Sequence, residues 1–145
     1  MKKLLLYVSL LAVILMYGCV HPVNNPTPAN LPAGMYSGHF EVIHQPGGTI
    51  DSASATINLD LEAATGFKVT GDTSALHEGS YGGFEVFPQN YTIYFQDHDT
   101  YVPTGKPAKV HLNGLYSYSY DGNLLEIGYV SPGDTLILKY ILKKN

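Results

Sequence analysis

The chain predicts an all-β domain of eight short antiparallel strands closed into an up-and-down barrel, with a two-layer β-sandwich as the alternative. Three observations carry this. Apolar side chains recur at every second residue from Gly34 onward, the period of a strand with one buried face. Clusters of Gly, Pro, Asn, Asp and Ser break that rhythm at short intervals, as turns between antiparallel neighbours require. Beyond the apolar run at the N-terminus no stretch carries a helical period. Closure is the economical arrangement because it removes the unpaired edges of an open sheet.

The first residues read as an address. Lys2 and Lys3 form a basic start, and Leu4 to Met16 is an apolar run interrupted only by Tyr7 and Ser9. That length suits the hydrophobic region of a signal peptide and falls short of the roughly 20 residues of a membrane-spanning helix. The run ends in Met16-Tyr17-Gly18-Cys19, which resembles the Leu-(Ala/Ser)-(Gly/Ala)-Cys lipobox of bacterial lipoproteins. Gly18 and Cys19 match the pattern, Met16 is an apolar substitute, and Tyr17 is bulkier than the usual small residue. The resemblance implies a signal peptide over residues 1–18, cleavage before Cys19, a diacylglycerol thioether on its sulfur and an acyl group on its amine. The competing reading is an ordinary secretory peptide that leaves a free thiol. Cys19 is the single cysteine, so an internal disulfide is excluded and the domain depends on its core. Each buried acyl methylene contributes about 0.8 kcal/mol, so two or three chains anchor stably where one does not. Val20 follows Cys19, and without an aspartate there the expected destination is the outer membrane, on its periplasmic or cell-surface side.

Val20 to Pro32 carries Pro22, Pro26, Pro28 and Pro32 with three asparagines among them, which neither a helix nor a central strand tolerates. Residues 19–33 are therefore the lipidated cysteine and a tether, and residues 34–145 the barrel domain. At roughly 3.1 Å per residue the tether reaches about 40 Å when extended. Processing removes Lys2 and Lys3 and leaves six lysines against twelve acidic residues, a net charge of −6, with no arginine anywhere. An acidic, arginine-free domain is a poor partner for nucleic acid or anionic head groups. It also lacks the usual fork for phosphates and carboxylates, so any small ligand is expected to be neutral or apolar.

The strands follow in order. Met35 to Ile43 is the first, with Tyr36, Gly38, Phe40 and Val42 on one face. Gln45 to Ser52 turns through Pro46-Gly47-Gly48 into Ala53 to Leu61, where Ala55, Ile57, Leu59 and Leu61 alternate with polar residues. Ala63 to Gly66 turns again, and Phe67 and Val69 mark the third strand. Gly71 to Gly79 reads as a polar connection to a fourth strand, Tyr81 to Phe87, whose Gly82-Gly83 pair suggests a bulge or bend. Pro88-Gln89-Asn90 leads into Tyr91 to Gln96, with Ile93 and Phe95 inward, and Asp97 to Lys109 is the longest irregular stretch. Val110 to Tyr120 is the sixth strand, Asp121-Gly122-Asn123 a hairpin turn, Leu124 to Val130 the seventh, and Thr135 to Leu142 the eighth after the turn at Ser131-Pro132-Gly133-Asp134.

Several of these segments resemble a family. "GMYSGHF" (Gly34 to Phe40) is similar to the Gly-x-Trp opening of lipocalin-type barrels, with Tyr36 in the tryptophan position. Gly79, Tyr81, Ile93, Phe95 and Asp97, then Leu112, Gly114, Tyr116, Tyr118, Asp121 and Gly122, and then Tyr140-Ile141-Leu142-Lys143-Lys144, resemble the recurring pattern of Bacteroidetes-type small lipocalin-like (calycin-like) lipoproteins. That family usually carries tryptophans around the connection between the fifth and sixth strands, where this chain offers His98 and Tyr101. The resemblance implies an eight-stranded barrel on a lipid anchor. It implies no activity, and ligand binding by true lipocalins is an analogy of fold.

Tyr116, Tyr118 and Tyr120 share the parity of Leu112 and Gly114 and so face inward, with Ser117 and Ser119 facing water. Tyr36, Tyr129 and Tyr140 join them by the same alternation. Two readings stand. The tyrosines fill the barrel, each finding a partner for its hydroxyl, or they line a cavity whose aromatic walls and converging hydroxyls suit a small amphipathic ligand. His39 and His44 have opposite parity and cannot chelate from one face. Asp97-His98-Asp99 is a compact acidic triplet, but neighbouring ligands splay apart and no second cluster supports a metal. No Gly-x-Ser-x-Gly elbow, His-Glu-x-x-His or Cys-x-x-Cys occurs. The expectation is a lipid-anchored envelope lipoprotein with no catalytic residue, metal or cofactor. Its barrel binds a small neutral or apolar ligand, or else it is filled and the protein serves as a structural or interaction lipoprotein for an envelope partner. An outward apolar patch including Leu115, Ile137 and Ile141 would favour the second.

Overall fold

The computed structural model describes residues 31–45, 49–98, 109–133 and 135–145. Eight strands are present: β1 (Gly34–His44), β2 (Asp51–Glu62), β3 (Gly66–Gly71), β4 (Tyr81–Phe87), β5 (Thr92–Asp97), β6 (Gly114–Tyr120), β7 (Leu124–Val130) and β8 (Leu136–Lys144). Each pairs antiparallel with its neighbour in the chain, and β8 pairs with β1 to close the barrel. The domain is the predicted up-and-down barrel and not a sandwich. β1 pairs along its length with both β2 and β8. β3 and β4 meet only at Phe67–Gly82 and Lys68–Tyr81, so the wall is weakest at that seam.

Alternation sets the two faces. Tyr36, Phe40, Ile57, Leu59, Leu61, Phe67, Val69, Ile93, Phe95, Tyr116, Leu125, Ile127, Tyr140 and Leu142 are all buried on the inside, and they form one continuous core. An eight-stranded barrel is just wide enough for side chains to fill it. β1, β3, β5 and β7 finish at one end of the barrel. The turns after β2, β4 and β6 gather at the other, together with the first residues of β1 and the last of β8.

Three local expectations differ. Tyr91 does not begin a strand. It follows a 3-10 turn over Pro88–Asn90 and takes a left-handed conformation, φ 53°, with its ring exposed. The sixth strand starts at Gly114 rather than Val110. Gly114 has φ 102°, which turns the chain away from β5. Residues 110–112 instead pair with the β3–β4 loop, through a parallel bridge between Val110 and His77 and bonds from Val110 N to Leu76 O and from Glu78 N to Val110 O. Gly82-Gly83 carries no bulge, since the β4–β5 register runs through it unbroken. Gly82 is there because β4 and β5 approach so closely that a Cβ would lie 1.9 Å from the Gln96 carbonyl oxygen. The readings on Cys19, on residues 1–30, and on Asp99 and Tyr101 lie outside the described residues.

Candidate functional site

The inward tyrosines assemble as their parity requires. Tyr36 and Tyr140 have 0% exposure and Tyr116 has 3%, while Tyr118 lies at 9%. Tyr120 and Tyr129 are half-buried and pack against the same core. The rings meet one another. Tyr36 stands edge-on to Tyr120 at 6.1 Å, Tyr116 lies 5.8 Å from Tyr129 and 6.2 Å from Tyr140, and Phe40 stacks at 4.7 Å on Tyr140. Full burial has a direct meaning: not even a water-sized void touches Tyr36, Phe40, Phe95, Leu112 or Tyr140. This part of the barrel axis is occupied by protein. A ligand would reach Tyr36 or Tyr140 only by displacing their neighbours.

The hydroxyls of Tyr36, Tyr116, Tyr120 and Tyr140 find partners inside the protein. Tyr36 Oη donates to Ala33 O (3.3 Å), and Tyr120 Oη donates to Gly122 O (2.8 Å) while accepting from Lys144 Nζ (3.4 Å). Burial raises the pKa of Tyr36 and Tyr118 and holds that of Tyr140 well above its ordinary value. It pushes Tyr116 up to about 12, against the opposing pull of Asn113 and Tyr140. These phenols stay protonated at neutral pH and offer no phenolate to chemistry.

The residue that sequence reasoning missed is His77. The β3–β4 loop, read as a polar connection, folds into the barrel mouth and buries His77 completely. Its ring stands edge-on to Phe40 at 4.8 Å and to Tyr140 at 5.7 Å. Nδ1 hydrogen-bonds to the Glu78 carbonyl oxygen, which can only accept, so Nδ1 carries the proton. Nε2 is then the acceptor for the Tyr140 hydroxyl at 3.0 Å. Burial lowers the His77 pKa to about 4, partly offset by the bond to Glu78, so the ring is neutral at physiological pH. Lys109 fastens the loop from outside, with Nζ 3.1 Å from Glu78 Oε2 and 2.9 Å from Thr73 O. No period could have flagged a histidine in so polar a stretch.

Asp97 was read beside His98, but its carboxylate turns to His111, whose Nδ1 lies 2.6 Å from Oδ2. Both side chains are largely buried, and Asp97 N takes a bond to Asn113 Oδ1. The pair pins the chain leaving β5 to the chain entering β6. Among the described residues no group of three His, Cys, Asp or Glu side chains could hold a metal ion.

The outer wall carries apolar residues in register. Tyr94 opposes Leu115, and Val130 opposes Ile137, which opposes Ile43. Ser117, two residues after Leu115, pairs with Gly128, two residues before Val130, where the β6–β7 ladder ends. The result is a slanting band over β5, β6, β7, β8 and β1 in which Tyr94, Leu115 and Val130 are 41%, 55% and 53% exposed. Gly128 leaves an open groove of about 340 Å³ beside it, lined in part by Ser117, Val130, Ile137 and Lys139. Ile141 lies on the same face of β8, one outward position beyond Lys139. No protein-family model, curated protein or solved structure matches this chain.

Proposed function

We propose that the protein is an exported lipoprotein of the lipocalin-like kind, anchored through Cys19, whose barrel is a solid scaffold presenting its outer wall to another envelope protein. The observation that carries this is the complete burial of Tyr36, Phe40, Phe95, Leu112 and Tyr140 at the barrel axis. With Tyr36 and Tyr140 at 0% exposure, the tyrosines act as core and the barrel's surfaces for recognition are its wall and loops. The band of Tyr94, Leu115, Val130, Ile137 and Ile43 supports the same reading. Contiguous exposed apolar residues mark protein interaction sites more often than isolated ones do, and aromatic residues are enriched in such interfaces.

Site-specific photo-crosslinking in the full-length lipoprotein, in its own envelope, tests this. A probe at Leu115 or Val130 gives a discrete protein adduct, and one at Thr70 on the opposite wall gives none. With the probe at Leu115, Tyr94→Glu combined with Val130→Glu removes the adduct and leaves the unfolding midpoint unchanged. Absence of an adduct from the band overturns the reading. So does a small molecule that co-purifies in native mass spectrometry and is lost on substitution of an inward tyrosine. Cys19→Ser, which shifts the protein from the membrane to the soluble fraction, checks the anchor separately.

A further inference from the structure

We infer that the outer wall across β2, β3 and β4 holds a binding site for a neutral polyhydroxylated ligand, a short saccharide. The site is distinct from the apolar band and does not depend on it.

Three cross-strand pairs place four residues side by side on the outer face: Met35 opposes Asp60, Asp60 opposes Lys68, and Lys68 opposes Tyr81. A groove of about 390 Å³ opens here, lined by Asp60, Thr65, Gly66, Phe67, Lys68 and Tyr81. That volume lies within the range of small-molecule sites. The groove exists because β3 and β4 share so short a ladder and because nothing projects from Gly66, where a Cβ would meet the Gly82 carbonyl oxygen at 1.9 Å.

The chemistry of the lining is specific. Asp60 and Lys68 stand directly opposite each other, where unlike charges ordinarily pair, yet no ion pair joins them. Asp60 Oδ1 is shut off from water and receives no donor from the protein. Oδ1 is as closed to a ligand as it is to water, so a ligand meets Asp60 through Oδ2, which is not shut off. Beside it Tyr81 is 48% exposed, and the edge of the His98 ring at 5.8 Å and 83° steadies its orientation.

A vicinal diol matches this set. One hydroxyl donates to the Asp60 carboxylate, its neighbour accepts from the Lys68 ammonium, and both bonds are strengthened by the charged partner. The C–H face of the pyranose lies on the Tyr81 ring, an apolar body with a polar tip. A phosphate or carboxylate would meet the Asp60 charge, and a wholly apolar ligand would strand both ions.

The test is a chemical-shift titration of the isotope-labelled full-length protein in detergent micelles. The probes are neutral disaccharides of glucose, galactose, mannose and N-acetylglucosamine, with inorganic phosphate as the anionic control. At least one disaccharide shifts the amides of Thr65 to Lys68 and of Tyr81, and phosphate does not. Tyr81→Ala and Asp60→Asn each weaken binding at least about tenfold, while Tyr81→Phe, which keeps the ring, retains it. All three changes lie on the outer wall, and unshifted resonances elsewhere confirm the fold. Silence across the disaccharide panel, an equal response to phosphate, or full affinity in Asp60→Asn overturns the site.

Discussion

His77 concentrates the energetics of the domain in one side chain. It is buried and neutral, donates to Glu78 and accepts from Tyr140. An unfolded histidine takes up its proton near pH 6.5, whereas the folded one does so near 4. Above 6.5 both states are neutral and the group adds no pH dependence. Between 6.5 and 4 the unfolded chain binds a proton that the folded chain refuses, so stability falls as pH falls. The loss is complete below the folded value and amounts to about 3 kcal/mol. Urea unfolding across this window shows that slope in the native protein. His77→Phe flattens it, at the cost of leaving the Tyr140 hydroxyl without its acceptor, about 1–3 kcal/mol at pH 7. An unchanged slope in His77→Phe would remove His77 as the titrating group. Parity alone had placed Tyr116 and Tyr118 inside, because a strand fixes the direction of every second side chain. Parity turns Asp97 to the side of Ile93 and Phe95 but says nothing of His77 or His111, since loops have no period and their contacts are set by what the barrel mouth leaves open.

At the level of the strands, neighbouring glycines separate two roles. A Cβ on Gly82 would fall 1.9 Å from the Gln96 carbonyl oxygen, and one on Gly38 would fall 2.0 Å from that of Ile141. Gly83, the next residue along, has nothing within 4 Å. Gly82→Ala and Gly38→Ala must therefore push β4 from β5 and β1 from β8, destabilising by about 1–3 kcal/mol or more. Gly83→Ala stays within about 0.5 kcal/mol of the native protein. Denaturation midpoints of the three variants decide it, and equal losses at Gly82 and Gly83 would refute the close-approach account. The strands themselves were legible from the two-residue period. Their ends were less so, because Val110 and Leu112 keep the parity of Tyr116 while the backbone at Gly114 has already turned away. A side-chain pattern carries no record of a change in backbone direction.

For the whole molecule the decisive property is that the barrel closes around a packed group of rings. The sequence predicts closure through its alternation and close-spaced turns. It left open whether the axis would be hollow, because a tyrosine serves equally well as core bulk or as a pocket wall, and only the fit of ring against ring distinguishes them. Phe95 meets Tyr116 at 5.8 Å, Tyr116 meets Tyr140 at 6.2 Å, and Tyr140 meets Phe40 at 4.7 Å, so a chain of rings crosses the interior from β5 to β1. Tyr116 sits at the middle of that chain with only 3% exposure. Tyr116→Ala deletes the ring that bridges the two sides, and the surrounding strands, held in a closed ladder, can collapse only partly into the space. The expected cost is about 3–5 kcal/mol, with a new apolar cavity at the axis. A small apolar probe such as benzene or xenon should bind the variant and raise its unfolding midpoint with concentration, as any ligand selective for the folded state does. The native barrel should give no such response, because its rings already occupy the volume. Saturable probe binding inside the native barrel would show that a ligand-sized space exists after all, and the solid-scaffold reading would give way to a binding protein.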